Sequence, residues 1–184
     1  MPNYIRIQGF TSEALATYDG TEVVISDRYV MFWKPPAPFC QWTASPFELN
    51  GIAYNCAEQF MMAEKARLFG DSSSEQRILA AVSPEQQKTL GKSIVDFDSS
   101  AWAKTRLDVV IRGNIAKFRQ NPEFKKALLE TRDRILVEAS PFDNVWGIGL
   151  AANDPKAYQQ EHWTGLNLLG RALTEVRSLL GREA

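Results

Sequence analysis

Histidine is almost absent from this chain and cysteine is rare: His162 stands alone, and Cys40 and Cys56 are the two thiols. A single imidazole excludes histidine-rich zinc centres and paired-histidine acid–base schemes. His162 lies in AYQQEHWTG beside Trp163, which reads as a structural or surface position. Two cysteines in 184 residues make no disulfide framework, so both read as reduced thiols of a cytoplasmic protein. Long apolar runs are missing too: no stretch approaches the roughly 18 consecutive apolar residues of a membrane helix. The opening MPNYIRIQGF has neither the basic start nor the apolar run of a signal peptide. Nor does one sign of charge dominate. Lys and Arg number 21 against 22 Asp and Glu, for a net charge of −1 and a pI near 5.9. The surface as a whole is therefore no electrostatic trap for duplex nucleic acid, although a local pocket for one or two phosphates is compatible with it. What is there is ordinary for a soluble globular chain: 45% hydrophobic and 23% charged residues. The length suits one domain with one sizeable core. Chemistry must come from carboxylates, lysines, arginines and aromatics.

The first third reads as strands and turns. YIRIQGF (4–10), TEVVIS (21–26) and YVMFW (29–33) are rich in β-branched and aromatic residues. KPPAPF (34–39) cannot be a central strand, because proline offers no donor to a ladder. FELNGIAYN holds Asn50-Gly51 between two short apolar stretches, a strong tight-hairpin signal. After residue 55 the pattern turns helical. Ser72-x-x-Glu75 and Ser83-Pro84-Glu85-Gln86 read as capped helix starts, and Gly91 as the close of the second helix. In 96–120, Trp102, Val109 or Val110, Ile111, Ile115 and Phe118 recur at helical intervals, with Gly113 weakening the middle. Asn121-Pro122 ends that helix and starts EFKKALLETRD. RILVEAS (134–140) reads as a buried strand, SPFDN as a turn, and LLGRALTEVRSLLG as a last amphipathic helix. There is no internal repeat or linker. The expectation is one α+β domain over 1–184, mostly helical with a small antiparallel sheet.

The stretch NCAEQFMMAEKARLFGD (55–71) places a carboxylate where water is scarce. With Asn55 as N-cap and about 100° per residue, Glu58, Met61, Met62, Lys65 and Phe69 share one stripe. Phe60 and Ala63 opposite are hardly more polar, so the helix should be largely buried. Asn55-x-x-Glu58 has capping-box spacing, and a buried carboxylate is also what chemistry at a cleft requires. Lys65, about 10 Å further along the stripe, either snorkels to solvent or meets a phosphate. Trp102 is either a core anchor or a ring that stacks on a nucleobase. LVEASPFDNVWGIG gathers Glu138 and Asp143 near Trp146, Gly147 and Gly149. Gly-Ile-Gly is no dinucleotide fingerprint, and Asp143 alone could form a turn. Two carboxylates converging on a cleft would suit acid–base or oxocarbenium chemistry.

Taken together, PFxxNGIAYNCAEQFMMAEKARLFGD, the Trp102 region, GNIAKF, LVEASPFDNVWGIGL and WTGLNLLGRALTEVR resemble the NADAR superfamily. The resemblance covers roughly residues 30 to 180, leaving a core of 31–181 and an N-terminal strand extension over 1–30. It implies a YbiA-like fold and hydrolysis of a ribosyl N-glycosidic bond. The substrate it implies is either ADP-ribose on a guanine base of DNA or a nucleotide, or a ribosylamino-pyrimidine phosphate of riboflavin synthesis. A non-catalytic module that binds NAD or ADP-ribose is the alternative from another class. Carried over by position, the catalytic set is Glu58, Trp102 and Asp143. Lys65, Glu138, Gly147 and Asn167 match positions lining the same pocket, with Gln41 and Trp146 assigned to substrate contact. No metal and no cofactor are implied. Two departures stand out. Cys40-Gln41-Trp42 replaces a common serine–asparagine–aromatic triplet, so Gln41 would substitute a longer arm. The connection between Gly149 and Asn167 is longer than the glycine-rich version in the riboflavin-type enzymes, which weighs against a riboflavin-type substrate.

Overall fold

The computed structural model describes residues 1–183. Its elements run β1 (Tyr4–Arg6), β2 (Val23–Ile25), β3 (Tyr29–Phe32), β4 (Phe47–Leu49), β5 (Ile52–Tyr54), α1 (Ala57–Leu68), α2 (Ser72–Ala80), α3 (Pro84–Lys92), α4 (Ser99–Gln120), α5 (Pro122–Glu130), β6 (Ile135–Glu138) and α6 (Leu168–Gly181). The α+β class follows. The chain divides into two compact units, Ala44–Pro122 and the discontinuous pair Met1–Thr43 with Glu123–Ala184.

In the discontinuous unit, four strands form one sheet in the order β1-β2-β3-β6. It is mixed: β1 with β2 and β3 with β6 are parallel, and only β2 with β3 is antiparallel. Register puts Val24 beside Met31 and Met31 beside Val137. These alternate residues share a face and join one core cluster with Leu15, Tyr29, Ile148, Ala152 and Ala157. Tyr158 and Trp163 close on Tyr29 with ring centroids 6.3 and 6.0 Å away. The long connection before α6 thus packs into the core through two short 3₁₀ turns, Pro155–Tyr158 and Gln160–His162. His162 is exposed. No disulfide links Cys40 and Cys56, and both are buried.

The continuous unit is the hairpin β4–β5 followed by α1 to α4. Asn50 and Gly51 both have positive φ, 55° and 76°, the backbone of a two-residue hairpin turn that glycine adopts without strain. α1 is buried along Ala57–Ala63 and at Ala66. Helix ends differ from three expectations. α1 begins after Cys56 rather than Asn55, and no side chain caps it at that position. α2 is capped by Asp71, whose carboxylate accepts from the amide of Ser74 at 2.9 Å, so Ser72 lies inside the helix. Gly91 does not close α3, which runs on to Lys92. A Cβ at 91 would collide with Met62, just as one at 113 would collide with the ring of Phe60. Both glycines therefore serve close helix packing rather than helix termination. Ser83 does cap α3, accepting from Gln86, with Pro84 at the first helical position.

Candidate active site

Within α1, Glu58 occupies the second helical position and only 4% of its surface is exposed. Its place in the first turn puts the carboxylate at the positive end of the helix dipole, where negative charge is favoured by about 0.3–1 kcal/mol. The capping-box role assigned to Glu58 by spacing belongs to its neighbour. Gln59 Oε1 accepts from the amide of Asn55 at 2.8 Å. Its Nε2 donates to the carbonyls of Ile78, Leu79 and Ala81 at 3.1, 3.0 and 3.2 Å. The one-residue shift of the helix start moves the reach-back position from 58 to 59.

Lys65 is half-buried. Its ammonium donates to the carbonyl of Gly91 at 2.6 Å and lies 4.0 Å from the ring centroid of Phe97. Burial pushes its pKa below the usual lysine value, and the charge of Glu58 pulls it partly back. The two charged residues of the stripe thus feel each other through the field. Phe97, held edge-on to Phe69 at 5.2 Å, had no sequence signal: 32 positions separate it from Lys65. Trp102 lies in the first turn of α4, which Asp98 caps by accepting from Ser100 and Ala101. Its side chain is nearly enclosed, with 9% of the residue exposed.

In the discontinuous unit, the segment from β6 to Gly149 is stitched to the start of α6. Ile148 donates to the carbonyl of Glu138, Asn167 to Gly147, Leu168 to Val145 and Leu169 to Trp146. The orphan amides of α6 are thereby satisfied by the carbonyls of this loop. Asn167, in the left-handed region at φ 50°, binds β6 with both ends of its amide. Oδ1 accepts from the Glu138 amide at 3.0 Å, and Nδ2 donates to Leu136 at 2.9 Å. Gly147 leaves no room for a side chain: a Cβ would stand 2.8 Å from the Glu138 carbonyl and 2.9 Å from that of Asp143. Asp143 Oδ1 accepts from the amides of Val145 and Trp146 at 2.8 and 2.7 Å. That fixes the carboxylate's orientation, while Oδ2 accepts no protein hydrogen bond among the described residues.

Two groups of expected site residues are therefore brought together, each within its own unit. Glu58 and Lys65 share α1. Glu138, Asp143, Trp146, Gly147 and Asn167 share one hydrogen-bonded loop system, in which Asn167 and Gly147 hold the backbone. Gln41 is buried in the turn region before residue 43. Among the described residues, no cluster of three or more His, Cys, Asp or Glu side chains has metal-binding geometry.

The NADAR domain matches residues 31–181, from within β3 to the end of α6. The chain belongs to the NADAR family. This NADAR chain is 42% identical over 163 residues to the N-glycosidase R617 of Acanthamoeba polyphaga mimivirus, covering 83% of the chain and 96% of that protein. It is 36% identical over 107 residues to the riboflavin biosynthesis protein PYRR of Zea mays, a match that spans 56% of the chain and 15% of that longer protein. The NMR structure of Escherichia coli YbiA superposes with a TM-score of 0.71 at 26% identity, covering 88% of this chain and 89% of that one. The NADAR chain thus has a YbiA-like fold.

Proposed function

We propose that this NADAR protein is a hydrolase of ribosyl N-glycosidic bonds, and that its substrate is ADP-ribose attached to a guanine base. Relatives named N-glycosidases, among them one matching nearly its full length, support the reaction class. The observation that carries the reading is Glu58: a buried carboxylate in the first turn of α1 whose capping duty is met by Gln59. Burying an anion is costly, and the reach back to the Asn55 amide is made by Gln59 rather than by Glu58. Breaking a C1′–N bond builds positive charge on the ribose, which a fixed carboxylate in a poorly hydrated setting stabilises. Water's oxygen then bonds C1′, one water proton passes to the departing base, and a free ribose hydroxyl and free base result.

Glu58 is assigned to the developing cation and Asp143, oriented by two amides, to the attacking water. Trp102 supplies the stacking ring, and Lys65 the cation for a phosphate. Glu138, Gln41 and Trp146 contribute substrate contacts, with Gly147 and Asn167 fixing the loop on which two of them stand. The long connection between Gly149 and Asn167 favours the ADP-ribosyl substrate. The match to PYRR keeps ribosylamino-pyrimidine phosphates as the second candidate.

Incubation with ADP-ribosylated guanine DNA and with a ribosylamino-pyrimidine phosphate tests the proposal. Release of ADP-ribose that falls at least about a hundredfold in Glu58→Gln and in Asp143→Asn, with binding retained, is the expected outcome. Turnover of the pyrimidine alone would transfer the assignment to that substrate. Binding of ADP-ribose without turnover of either compound would make the protein a binding module.

A further inference from the structure

The turn that orients Asp143 also carries the most exposed aromatic side chain of the described residues. Phe142 is 86% exposed, and its backbone is pinned on both sides. Its amide donates to Ser140 Oγ at 3.4 Å, and Asp143 Oδ1 holds the two amides that follow. A lone exposed apolar residue is commonplace. This one is distinguished by a second ring: Trp33 stands 5.8 Å from Phe142, centroid to centroid, at an interplanar angle of 51°.

Trp33 is itself held from behind. Gly20 lacks the Cβ that would collide with the indole, so the ring rests on backbone. The Lys34 ammonium lies 4.3 Å from the indole centroid and is tied to the Asp19 carbonyl at 2.7 Å. The amide of Lys34 donates to Gly20 at 2.8 Å. An exposed ring fixed in a turn against a part-buried indole, with a cation beside them, needs little ordering to receive a flat partner. Phosphate-linked bases are such partners: the π-face stacks and the backbone is drawn to the ammonium.

We infer that Phe142 and Trp33 form a stacking platform for a nucleobase of single-stranded nucleic acid, the base next to the nucleotide being hydrolysed. Placing the platform beside the reacting nucleotide rests on the N-glycosidase reading of Asp143. A single strand is specified because duplex bases already stack on one another and leave no free π-face for the rings.

Fluorescence anisotropy with labelled oligothymidylate and a duplex of equal length tests this on the whole protein, alongside Phe142→Ala and Phe142→Trp. The expected result is preference for the single strand, about tenfold weaker binding in Phe142→Ala and recovery to within about twofold in Phe142→Trp. Equal binding of duplex and single strand, or wild-type affinity in Phe142→Ala, overturns the platform. Release of ADP-ribose from ADP-ribosylated guanine DNA by the unaltered protein is measured separately. Phe142-dependent strand binding without any release retains the platform and removes the glycosidase. Release without Phe142-dependent binding does the reverse.

Discussion

Gln59 commits both ends of its amide to backbone, bridging Asn55 at the start of α1 to three carbonyls near the end of α2. Removing it takes the side-chain partner from the Leu79 carbonyl and the Asn55 amide, while the Ile78 and Ala81 carbonyls keep Ala81 N and Gln87 Nε2. Gln59→Leu is therefore expected to lower unfolding free energy by about 1–3 kcal/mol, read in urea denaturation. Glu58→Gln keeps the side-chain volume and removes the favourable charge at the helix start, for which the expected loss is under about 1 kcal/mol. A larger loss for Glu58→Gln than for Gln59→Leu would return the capping role to Glu58 and weaken its chemical assignment. Lys65 gives a pH signature. Its folded pKa lies below its ordinary 10.5 because of burial. The unfolded chain thus binds the extra proton in the interval between the two values, and stability rises with pH there. The contribution is complete above 10.5 and is lost as pH falls through the folded value. Wild-type stability minus that of Lys65→Met should grow as pH climbs through this window. A difference that is flat with pH would show that Lys65 titrates alike in both states.

Among the elements, the hairpin β4–β5, the cap at Ser83 and the full extent of α6 were legible because each is specified by adjacent residues. Asn50-Gly51 sets a turn and Ser83-Pro84 a helix start, and the apolar spacing of 168–181 sets a face. Gly113 was legible only as a weak point. Intrinsic propensity makes Gly113→Ala stabilising by about 0.5–1 kcal/mol in a helix interior. The structure reverses the sign: the added Cβ meets Cδ1, Cε1 and Cγ of the Phe60 ring, which lies on α1. Overpacking against a rigid ring should destabilise by about 1–3 kcal/mol, measured as a lower urea midpoint at unchanged slope. Stabilisation would mean that α1 and α4 separate freely enough to admit a methyl group. The local placement of the candidate residues was legible to a similar degree. Glu58, Lys65 and the Asp143 turn stood out by composition within a few residues. The duty of Asn167 did not, because its partners Glu138 and Leu136 are 29 and 31 residues away, and no local spacing encodes such a bond.

At the scale of the molecule, the two compact units differ in how the chain supplies them. Ala44–Pro122 is continuous, so its hairpin and four helices form from neighbours in sequence. The other unit joins Met1–Thr43 to Glu123–Ala184, and its parallel pair β3–β6, with β6 at the sheet edge, matches Tyr29 with Ile135 and Phe32 with Glu138. Forming that parallel pair closes a loop that contains the whole sequence of the continuous unit. Closure entropy grows as (3/2)RT ln n, and it is lost before the sheet returns any contact energy. Local contacts form faster than such distant ones. Pulse-labelled hydrogen exchange during refolding should therefore protect the amides of α1 and α4 first. Protection of Ile135 and Ala139, which donate to Arg28 and Phe32, should follow in a slower phase. The Asp143 turn hangs on the same β6 strand through Glu138 and Ile148, so recovery of N-glycosidase activity should track the slower phase. Activity returning with the early helices, or a single phase for all amides, would place β3–β6 pairing in the folding nucleus.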